Sequence, residues 1–311
     1  MGPYDQFRSM RVALVTGAST GIGLATAQRM LEDGYFVVLS ARKESLARLA
    51  GVEFLKKHRH HWVRPMDVRE PNDRHSLINQ IEKDLGRLDI LINNAAVVYR
   101  APVESAYDFE CKEQMLVNFH APLELIKSCL PLMRKNKSGH IINVSSAAGF
   151  LAVPTMGLYA ASKHALEAAS EALFHELAPW NIKITLIEPG FISSDSYKKA
   201  RLSLAMDRGT HPYASDYALQ TNVITSLIDR ATAITNSSPA DVAKAISRAA
   251  GMKRPPLRQL VTLDAKVFSY LKRFLPGRVY DWLMRHCLKS LTQTQAQNVA
   301  QWRLPFLPSP P

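Results

Sequence analysis

Short runs of Val, Ile and Leu that alternate with longer helical patterns are the feature that most constrains the fold of this chain. Seven such runs occur, with the sequences VALVT, YFVVLS, HWVRP, DILIN, HIINVS, IKITLIE and RQLVT. Runs with so few polar residues are typical of strands that are covered on both faces. The helical patterns between them, such as GLATAQRMLEDG and PNDRHSLINQIEKDLG, are long enough to cross over a parallel sheet. The sequence therefore predicts a doubly wound α/β sheet of about seven strands.

The composition is that of a soluble globular protein, with 47% hydrophobic and 21% charged residues among 311. We expect one large domain over residues 11–265, a disordered lead over residues 1–10, and a helical extension over residues 266–311 that ends in a Pro-rich tail. No segment reaches the roughly 18 uninterrupted apolar residues of a membrane-spanning helix, and the N-terminus lacks the apolar stretch of a signal peptide. These features predict a cytoplasmic protein.

The formal charge of +12 is concentrated near the C-terminus. Residues 251–311 contain ten Lys or Arg against two Asp, which leaves a net +4 for the first 250 residues. That part has no basic patch interleaved with aromatic residues, so nucleic-acid binding is not expected. The cysteines are far apart and in no metal-ligand spacing, which indicates neither a disulfide framework nor a metal site. They are Cys111, Cys129 and Cys287.

Two segments depart from the alternation of strands and helices. Residues 191–237 have weak periodicity, and a connection of that length is typical of a lid or binding loop. The next helix is expected to start at Ser238. In the extension, apolar residues recur at helical spacing on either side of Pro276-Gly277, with basic residues around them. We expect two amphipathic helices that pack on the domain itself, across a dimer, or on an anionic membrane surface. Their apolar positions are Val267, Tyr270, Leu271, Phe274, Leu275, Val279, Trp282, Leu283 and His286.

A glycine-rich turn, TGASTGIG, joins the first strand to the first helix. Gly17 allows a sharp turn, Gly21 lets backbone N–H groups approach a phosphate, and Gly23 lets the helix sit close to the strand. The N-terminus of the helix would then face the anion with free N–H groups and its positive dipole end. Because a strand and a helix flank the glycines, the turn predicts a dinucleotide site. Its predicted cofactor residues are Gly17, Ser19, Thr20, Gly21, Ile22 and Gly23.

The second strand ends without the acidic residue that would accept a hydrogen bond from a ribose 2′-hydroxyl. Its last residues are Leu39-Ser40-Ala41-Arg42-Lys43. Arg42 can bind a phosphate through its planar fork, Lys43 can add charge, and Ser40 can donate a hydrogen bond. NADP(H) is therefore favoured over NAD(H) as the cofactor. The alternative is that Arg42 and Lys43 only begin a solvated helix.

The stretch GLYAASKHAL places Tyr159 and Lys163 on one face of a helix. A free phenol titrates near pH ~10, and an adjacent ammonium group favours the phenolate. Tyr159 is therefore expected to act as a general acid or base. Ser145 and Ser146 follow the fifth strand, at the edge of the sheet where such folds bind ligands, and a hydroxyl there can hold a substrate oxygen.

These motifs stand in the order and spacing of the short-chain dehydrogenase/reductases, which the chain resembles over about residues 11–265. The resemblance implies a Rossmann fold, a homodimer or homotetramer, and hydride transfer between a nicotinamide and a carbonyl or alcohol. It selects Ser146 over Ser145 as the catalytic hydroxyl and gives Lys163 a hydrogen bond to the nicotinamide ribose. It also makes Asn118 the support of a water linked to Lys163, although an Asn that satisfies local backbone is an alternative. The matching segments are TGASTGIG, NNAA, NVSSAAG, Tyr159-x-x-x-Lys163 and Pro189-Gly190.

The same resemblance implies further cofactor contacts. They are Asp67 and Val68 at the adenine, Asn93 and Ala95 along the cofactor, and Pro189, Gly190, Ile192 and Ser194 towards the carboxamide. Ala96 replaces the glycine that usually closes NNAG, and Ser194 replaces the usual Thr while keeping a hydroxyl. Two acids one helical turn apart, Glu167 and Glu171, are interpreted as a solvated helix edge.

The long lid and the C-terminal extension resemble the retinol and hydroxysteroid dehydrogenase branch of the family. That branch implies a bulky apolar alcohol or ketone as the substrate. One alternative is a 3-ketoacyl-carrier-protein-type reductase, although those chains generally end soon after the seventh strand. Another is a catalytically silent nucleotide-sensing protein, against which the intact Asn118, Ser146, Tyr159 and Lys163 argue, since fold alone cannot decide function.

Overall fold

Seven parallel strands form one sheet in the order β3-β2-β1-β4-β6-β7-β9. The computed structural model describes residues 7, 9–193, 201–283 and 285–286. The predicted doubly wound sheet is confirmed, and each predicted run is a strand whose bounds differ from the prediction by no more than two residues. The strands are β1 (Val12–Thr16), β2 (Phe36–Ala41), β3 (His61–Pro65), β4 (Ile90–Asn93), β6 (Gly139–Val144), β7 (Ile182–Glu188) and β9 (Arg258–Leu260).

Helices cover both faces of the sheet. Successive side chains of a strand point to opposite faces, so Leu14 and Val15 of β1 are both fully buried but belong to different core clusters. Helices α1 and α9 pack on one face, and α3, α5 and α6 pack on the other. The helices are α1 (Gly21–Glu32), α2 (Glu53–Lys57), α3 (Pro71–Leu85), α4 (Asp108–Met115), α5 (Ala121–Lys135), α6 (Gly157–Glu176), α7 (Leu204–Asp207), α8 (Ala214–Thr235), α9 (Pro239–Gly251) and α10 (Leu263–Phe274).

The strand order reverses between β1 and β4. From β1 the chain first adds β2 and β3 on one side and then returns to place β4, β6, β7 and β9 on the other. The helices that follow β1 and β4 consequently lie on opposite faces of the sheet, and doubly wound sheets bind ligands in the crevice at such a reversal.

The segment over residues 191–237, expected as a lid loop, is largely helical where it is described. Helix α8 alone spans 22 residues, and its weak amphipathicity explains why the sequence did not reveal it. The short strand β8 (Arg201–Leu202) pairs in parallel with β5 (Tyr99–Arg100), and such two-residue strands carry no periodic signal. The predicted helix start at Ser238 is confirmed, since its backbone N–H donates to the carboxylate of Asp241 at 3.0 Å.

Both ends of the chain differ from the prediction. Phe7 packs on Phe36 with ring centroids 5.4 Å apart, so the expected disordered lead is wrong at this residue. The first helix of the extension starts at Leu263, ahead of the predicted boundary, and residues 277–283 are also helical. The Pro-rich end lies outside the described residues. Among the described helices, none is both long enough and apolar enough to cross a bilayer.

Candidate active site

The glycine turn after β1 has the geometry that a close-lying phosphate requires. Gly17 and Gly21 have φ angles of +64° and +58°, in the left-handed region that favours glycine. A Cβ atom on Gly23 would collide with the carbonyl oxygen of Gly17 and lie 2.5 Å from the side-chain nitrogen of Asn94. Helix α1 begins here, and its N-cap residue, Thr20, makes no side-chain capping bond. The first-turn N–H groups are therefore left to bind an anion in the crevice.

Thr16 ties this turn to the end of β4. Its hydroxyl accepts hydrogen bonds from the backbone N–H groups of Asn94 at 2.9 Å and Ala95 at 3.0 Å, and donates to the carbonyl of Ile92 at 3.3 Å. The side chain of Asn94 donates in return to the carbonyl of Thr16 at 2.8 Å. The loops after β1 and β4 thus form one rigid wall.

A cavity of about 710 Å³ runs along this edge of the sheet, a size typical of cofactor and substrate sites. Most of the predicted site residues line it. They are Gly17, Ser19, Thr20, Ile22, Arg42, Asp67, Val68, Ala95, Ser146, Tyr159, Lys163, Pro189, Gly190 and Ile192. Gly21 and Gly23 shape the turn behind that wall, and Ser194 lies outside the described residues.

Two predicted cofactor residues near β2 do not reach the cavity wall. Ser40 is fully buried, and its hydroxyl donates to the carbonyl of Val15 at 3.1 Å, so it cannot bind a phosphate as predicted. Lys43 begins a 3₁₀ helix, Lys43–Leu49, and is not among the residues that line the cavity. Ser45, in the same short helix, supplies a hydroxyl at the wall that the sequence analysis missed.

Asn93 was also predicted to line the cofactor, but its side chain faces the core. It donates to the side-chain oxygen of Asn143 at 2.9 Å, and Asn143 donates to the hydroxyl of Ser170 at 2.8 Å. Side chains along a strand point alternately to opposite faces, so a shift of one residue decides whether an asparagine faces the core or the crevice. Asn94 is the asparagine on the cavity wall.

Arginines line the end of the cavity beyond β2 and β3. Arg69 is held by Asp67 at 2.6 Å, so its charge is already neutralised. Arg42 pairs with Glu44 at 3.2 Å, and both side chains are largely exposed. Exposed pairs of this kind stabilise a protein by only about 0–1 kcal/mol, so Arg42 can exchange Glu44 for a phosphate. Arg48 adds a further guanidinium to this wall.

At the other end, α6 brings the predicted catalytic side chains together. The Ser146 hydroxyl lies near the Tyr159 phenol, and both residues line the cavity. The ammonium nitrogen of Lys163 lies 5.8 Å from the centroid of the Tyr159 ring and donates to the carbonyl of Val144 at 2.9 Å. Ser146 opens the turn after β6, and its hydroxyl accepts from the backbone N–H of Ala148 at 3.1 Å.

Burial sets the charge states of this group. It raises the pKa of the Tyr159 phenol to about 12, although the nearby Ser146 hydroxyl acts in the opposite direction. It lowers the pKa of the Lys163 ammonium group to about 8, while the carboxylate of Glu167 raises it. The phenol pKa is therefore raised and not lowered as expected, because burial penalises the phenolate more than the Ser146 hydroxyl favours it. At neutral pH the phenol holds a proton that it can donate.

Asn118 lies behind the cavity wall, in a π-helical turn over Leu116–His120. Its side-chain oxygen accepts from the backbone N–H of Val97 at 2.9 Å, and its nitrogen donates to the carbonyl of Val97 at 2.9 Å and to the hydroxyl of Ser162 at 3.0 Å. Val97 lines the cavity. Asn118 thus satisfies local backbone and holds one wall against α6, and its predicted link through a water to Lys163 stays a prediction.

The interpretation of Glu167 as a solvated helix edge is wrong. Glu167 is buried, accepts a 2.6 Å hydrogen bond from the Ser145 hydroxyl, and pairs with Arg258. Arg258 also contacts the buried Glu188 at 2.9 Å and the exposed Glu171 at 3.0 Å. Arg258 comes from β9, far along the chain, so the spacing of the two acids could not reveal the partner that draws Glu167 inwards.

The catalytic end of the cavity opens onto apolar side chains. Helix α8 contributes Ile228, and α10 contributes Phe268. Both segments are bound to Phe191 in the loop after β7. Asp264 accepts a hydrogen bond from the backbone N–H of Phe191 at 2.8 Å, and the Thr235 hydroxyl donates to the carbonyl of Phe191 at 3.2 Å. The other apolar lining residues at this end are Leu151, Val153, Met156 and Phe191.

Comparison with known proteins agrees with this geometry. The family model described as short chain dehydrogenase matches residues 11–204. A 3-ketodihydrosphingosine reductase of Bacteroides thetaiotaomicron is 32% identical over 276 residues, which cover 88% of this chain and 97% of that protein. An NADPH-dependent 3-dehydrocapnine reductase of Ornithobacterium rhinotracheale is 31% identical over 304 residues, covering 91% and 99%. The crystal structure of a metagenomic short-chain oxidoreductase in complex with NADP has a TM-score of 0.62 and 26% identity, covering 81% of this chain and 96% of that one.

Replacing Gly23 with Ala tests the close contact in the glycine turn. The added methyl group must displace the Gly17 carbonyl and Asn94, so we expect NADPH to bind at least roughly tenfold more weakly, about 1.4 kcal/mol. Gly51→Ala is the matched control, because a Cβ atom there meets nothing within 4 Å. Fluorescence titration with NADPH gives both dissociation constants. An unchanged constant for Gly23→Ala contradicts the assignment.

Proposed function

The chain belongs to the short chain dehydrogenase family and is an oxidoreductase that interconverts C=O and CH–OH groups with a nicotinamide cofactor. On that premise we propose that it uses NADP(H) and acts on a bulky apolar ketone or secondary alcohol. The observation that carries the proposal is the group formed by Ser146, Tyr159 and Lys163 where the cavity meets its apolar walls.

The side chains of this group divide the reduction of a ketone between them. When bound, NADPH supplies the hydride. Ser146 holds the carbonyl oxygen and donates to the negative charge that develops there. Tyr159 gives its proton to that oxygen, and the Lys163 ammonium stabilises the phenolate that remains. Alcohol oxidation uses the same contacts with the proton moving in the opposite direction.

Two features of the β2 end support NADP(H) over NAD(H). Ala41 leaves that strand end without the acidic side chain that would repel a 2′-phosphate. Arg42, Ser45 and Arg48 line the same wall and offer two guanidinium groups and a hydroxyl to such a phosphate. The Glu44 carboxylate that now pairs with Arg42 is exposed and can move into solvent.

The apolar catalytic end supports a bulky apolar substrate. Ile228 and Phe268 come from the two segments that a short reductase chain would lack, so this part of the cavity differs from that expected of a 3-ketoacyl-carrier-protein-type reductase. The two relatives above are named as reductases of a 3-keto and a 3-dehydro compound. A ketone panel for assay should therefore include 3-ketodihydrosphingosine beside steroids, retinoids and simple ketones.

We also propose that the outer face of α10 rests on an anionic membrane surface, from which an apolar substrate would reach a largely cytoplasmic enzyme. Leu263, Val267, Tyr270 and Phe274 recur at helical spacing on this face and are 47% to 75% exposed. The opposite face carries Phe268 into the cavity. A surface helix with an apolar outer stripe is unusual unless something covers it.

The charge around this stripe favours lipid as the cover. Exposed basic side chains surround the apolar positions of α10 and the following helical turn, where Trp282 is 62% exposed. Such a combination of basic and aromatic residues binds anionic lipid headgroups. The basic residues are Lys266, Lys272, Arg273, Arg278 and Arg285.

Removing the phenol hydroxyl tests the catalytic assignment. In Tyr159→Phe we expect ketone reduction to fall by ~10²–10⁴-fold, since a positioned general acid contributes about that much, while NADPH still binds. Tyr213→Phe makes the same change at an exposed tyrosine and should retain full turnover. Steady-state rates of NADPH oxidation decide the matter, and near-normal turnover of Tyr159→Phe refutes the role.

The cofactor assignment is tested at the end of β2. Wild type should prefer NADPH to NADH, and Ala41→Asp combined with Arg42→Ala should lower that preference by roughly 10–100-fold, because a charged hydrogen bond worth ~1.5–3 kcal/mol is lost and a repulsive carboxylate is gained. Arg29→Ala, which removes an exposed guanidinium from the α1 surface, is the control. Equal affinities for both cofactors in wild type would show that Arg42 binds no phosphate.

The membrane proposal is tested with vesicles of phosphatidylcholine, alone or mixed with phosphatidylglycerol. We expect the full chain to sediment with the anionic vesicles, less so at high salt, and Tyr270→Ser with Phe274→Ser to abolish this. Phe109→Ser, which removes an exposed aromatic ring from α4, should sediment like wild type. Failure to sediment at low salt, with a dimer that the double substitution disrupts, would assign the stripe to a second copy of the chain.

A further inference from the structure

We propose that Glu167 is a positioning residue of this site, whose buried carboxylate supplies negative charge one helical turn from Lys163 and fixes the turn that carries Ser146. The proposal rests on the proposed function, because it concerns the same catalytic group. It goes beyond that function by giving a task to a residue that touches neither substrate nor cofactor.

One face of α6 lies against the end of β6 at three successive residues. Tyr159, Lys163 and Glu167 are spaced four residues apart and therefore share that face. The Lys163 ammonium donates to the carbonyl of Val144 at 2.9 Å, and the Glu167 carboxylate accepts from the Ser145 hydroxyl at 2.6 Å. The Tyr159 phenol lies near the Ser146 hydroxyl. The Ser145 hydroxyl is thus bound to the buried Glu167 carboxylate, while Ser146 lines the cavity beside Tyr159.

Space for the Glu167 carboxylate is provided by a glycine. A Cβ atom on Gly149 would collide with the Oε1 atom of Glu167 and lie 2.7 Å from the Ser145 hydroxyl. The 3₁₀ turn Ala147–Gly149 that follows Ser146 can therefore pack against Glu167 only if its last residue has no side chain. The turn that carries Ser146 and the Glu167 carboxylate can therefore pack together because residue 149 is a glycine.

The buried acids around Glu167 outnumber the guanidinium groups that pair with them, so negative charge remains for Lys163 to balance. Glu167 and Glu188 are both buried and share a single guanidinium, that of Arg258. Glu171 also contacts Arg258, but its side chain is 57% exposed and its charge is solvated. With two buried carboxylates and one guanidinium, the cluster has a net negative charge that the buried Lys163 balances. A buried ammonium group needs such a partner, because burial alone favours its neutral form.

The charged groups near Lys163 lie on three elements, and each shifts the pKa of a neighbour in a definite direction. On α6, Glu167 raises the pKa of Lys163 while burial lowers it. On β7, burial and the neighbouring Glu167 raise the pKa of Glu188 to about 7. On β9, Arg258 opposes that rise and contacts both acids. As the pH falls, Glu188 is therefore the acid of this cluster that takes up a proton near neutral pH.

The alkaline limb of the pH profile reports this contact. Burial raises the pKa of Tyr159 to about 12 and lowers that of Lys163 to about 8, so we expect ketone reduction to decline at alkaline pH as Lys163 loses its proton. We expect full activity below the pKa of Lys163 and a decline above it. Because Glu167 raises the pKa of Lys163, its neutralisation must move the limb to lower pH.

The test is the pH dependence of kcat/KM for NADPH-dependent ketone reduction. In Glu167→Gln we expect the alkaline limb to move down by about 0.5–1 pH unit, at or below the low end of the shift that a nearby opposite charge produces. Glu171→Gln makes the same change one turn further along α6, where the side chain is 57% exposed. This control should keep the wild-type limb. Glu167→Asp, which restores a carboxylate, should move the limb back towards the wild-type position.

A second variant covers a failure of Glu167→Gln to fold. Gly149→Ala keeps the charge but places a methyl group where the Oε1 atom of Glu167 lies, so the carboxylate must leave its position beside Ser145. We expect a smaller downward shift of the same limb. A lower melting temperature with an unmoved limb in either variant overturns the proposal and leaves Glu167 a structural residue. If wild type reduces no ketone, the proposed function itself has failed.

Discussion

The contact between one face of α6 and the end of β6 is the interaction on which the site depends. Three side chains, each one turn from the next, lie against three successive residues at the strand end, and two of them are hydrogen-bonded there. Parallel packing makes this contact available, because a crossover helix must start beside the carboxyl end of the strand it covers. The same edge receives the glycine turn after β1 and the Asn94 loop after β4, which Thr16 joins. Cofactor and substrate therefore meet at a rigid edge of the sheet.

Much of the fold and part of the site could be predicted from sequence because their signals are local. Strands buried on both faces read as apolar runs, and the glycines at 17, 21 and 23 each meet a constraint within a few residues. Errors arose where neighbours distant in sequence decide the outcome. Ser40 and Asn93 were misassigned because strand register selects which side chain faces the crevice. Glu167 was misassigned because its partner, Arg258, lies on the last strand.

The ionisation of Tyr159 shows the same limit. Spacing alone places an ammonium group beside the phenol and suggests a lowered pKa. The folded chain buries both groups, which raises the pKa of the phenol and lowers that of Lys163. Burial depends on α6, β6 and β7 together and leaves no mark in the Tyr-x-x-x-Lys motif. What the sequence does specify is which groups meet, and the surrounding fold then sets their charge.

The most direct measurement of the central claim is the mass of the alcohol formed when a bulky apolar ketone is reduced with NADPH that carries deuterium at the transferable position. Hydride transfer within this cavity predicts that the alcohol retains the deuterium on its carbinol carbon. An alcohol that carries no deuterium, or NADPH that binds while no ketone of the panel is reduced, would contradict the account.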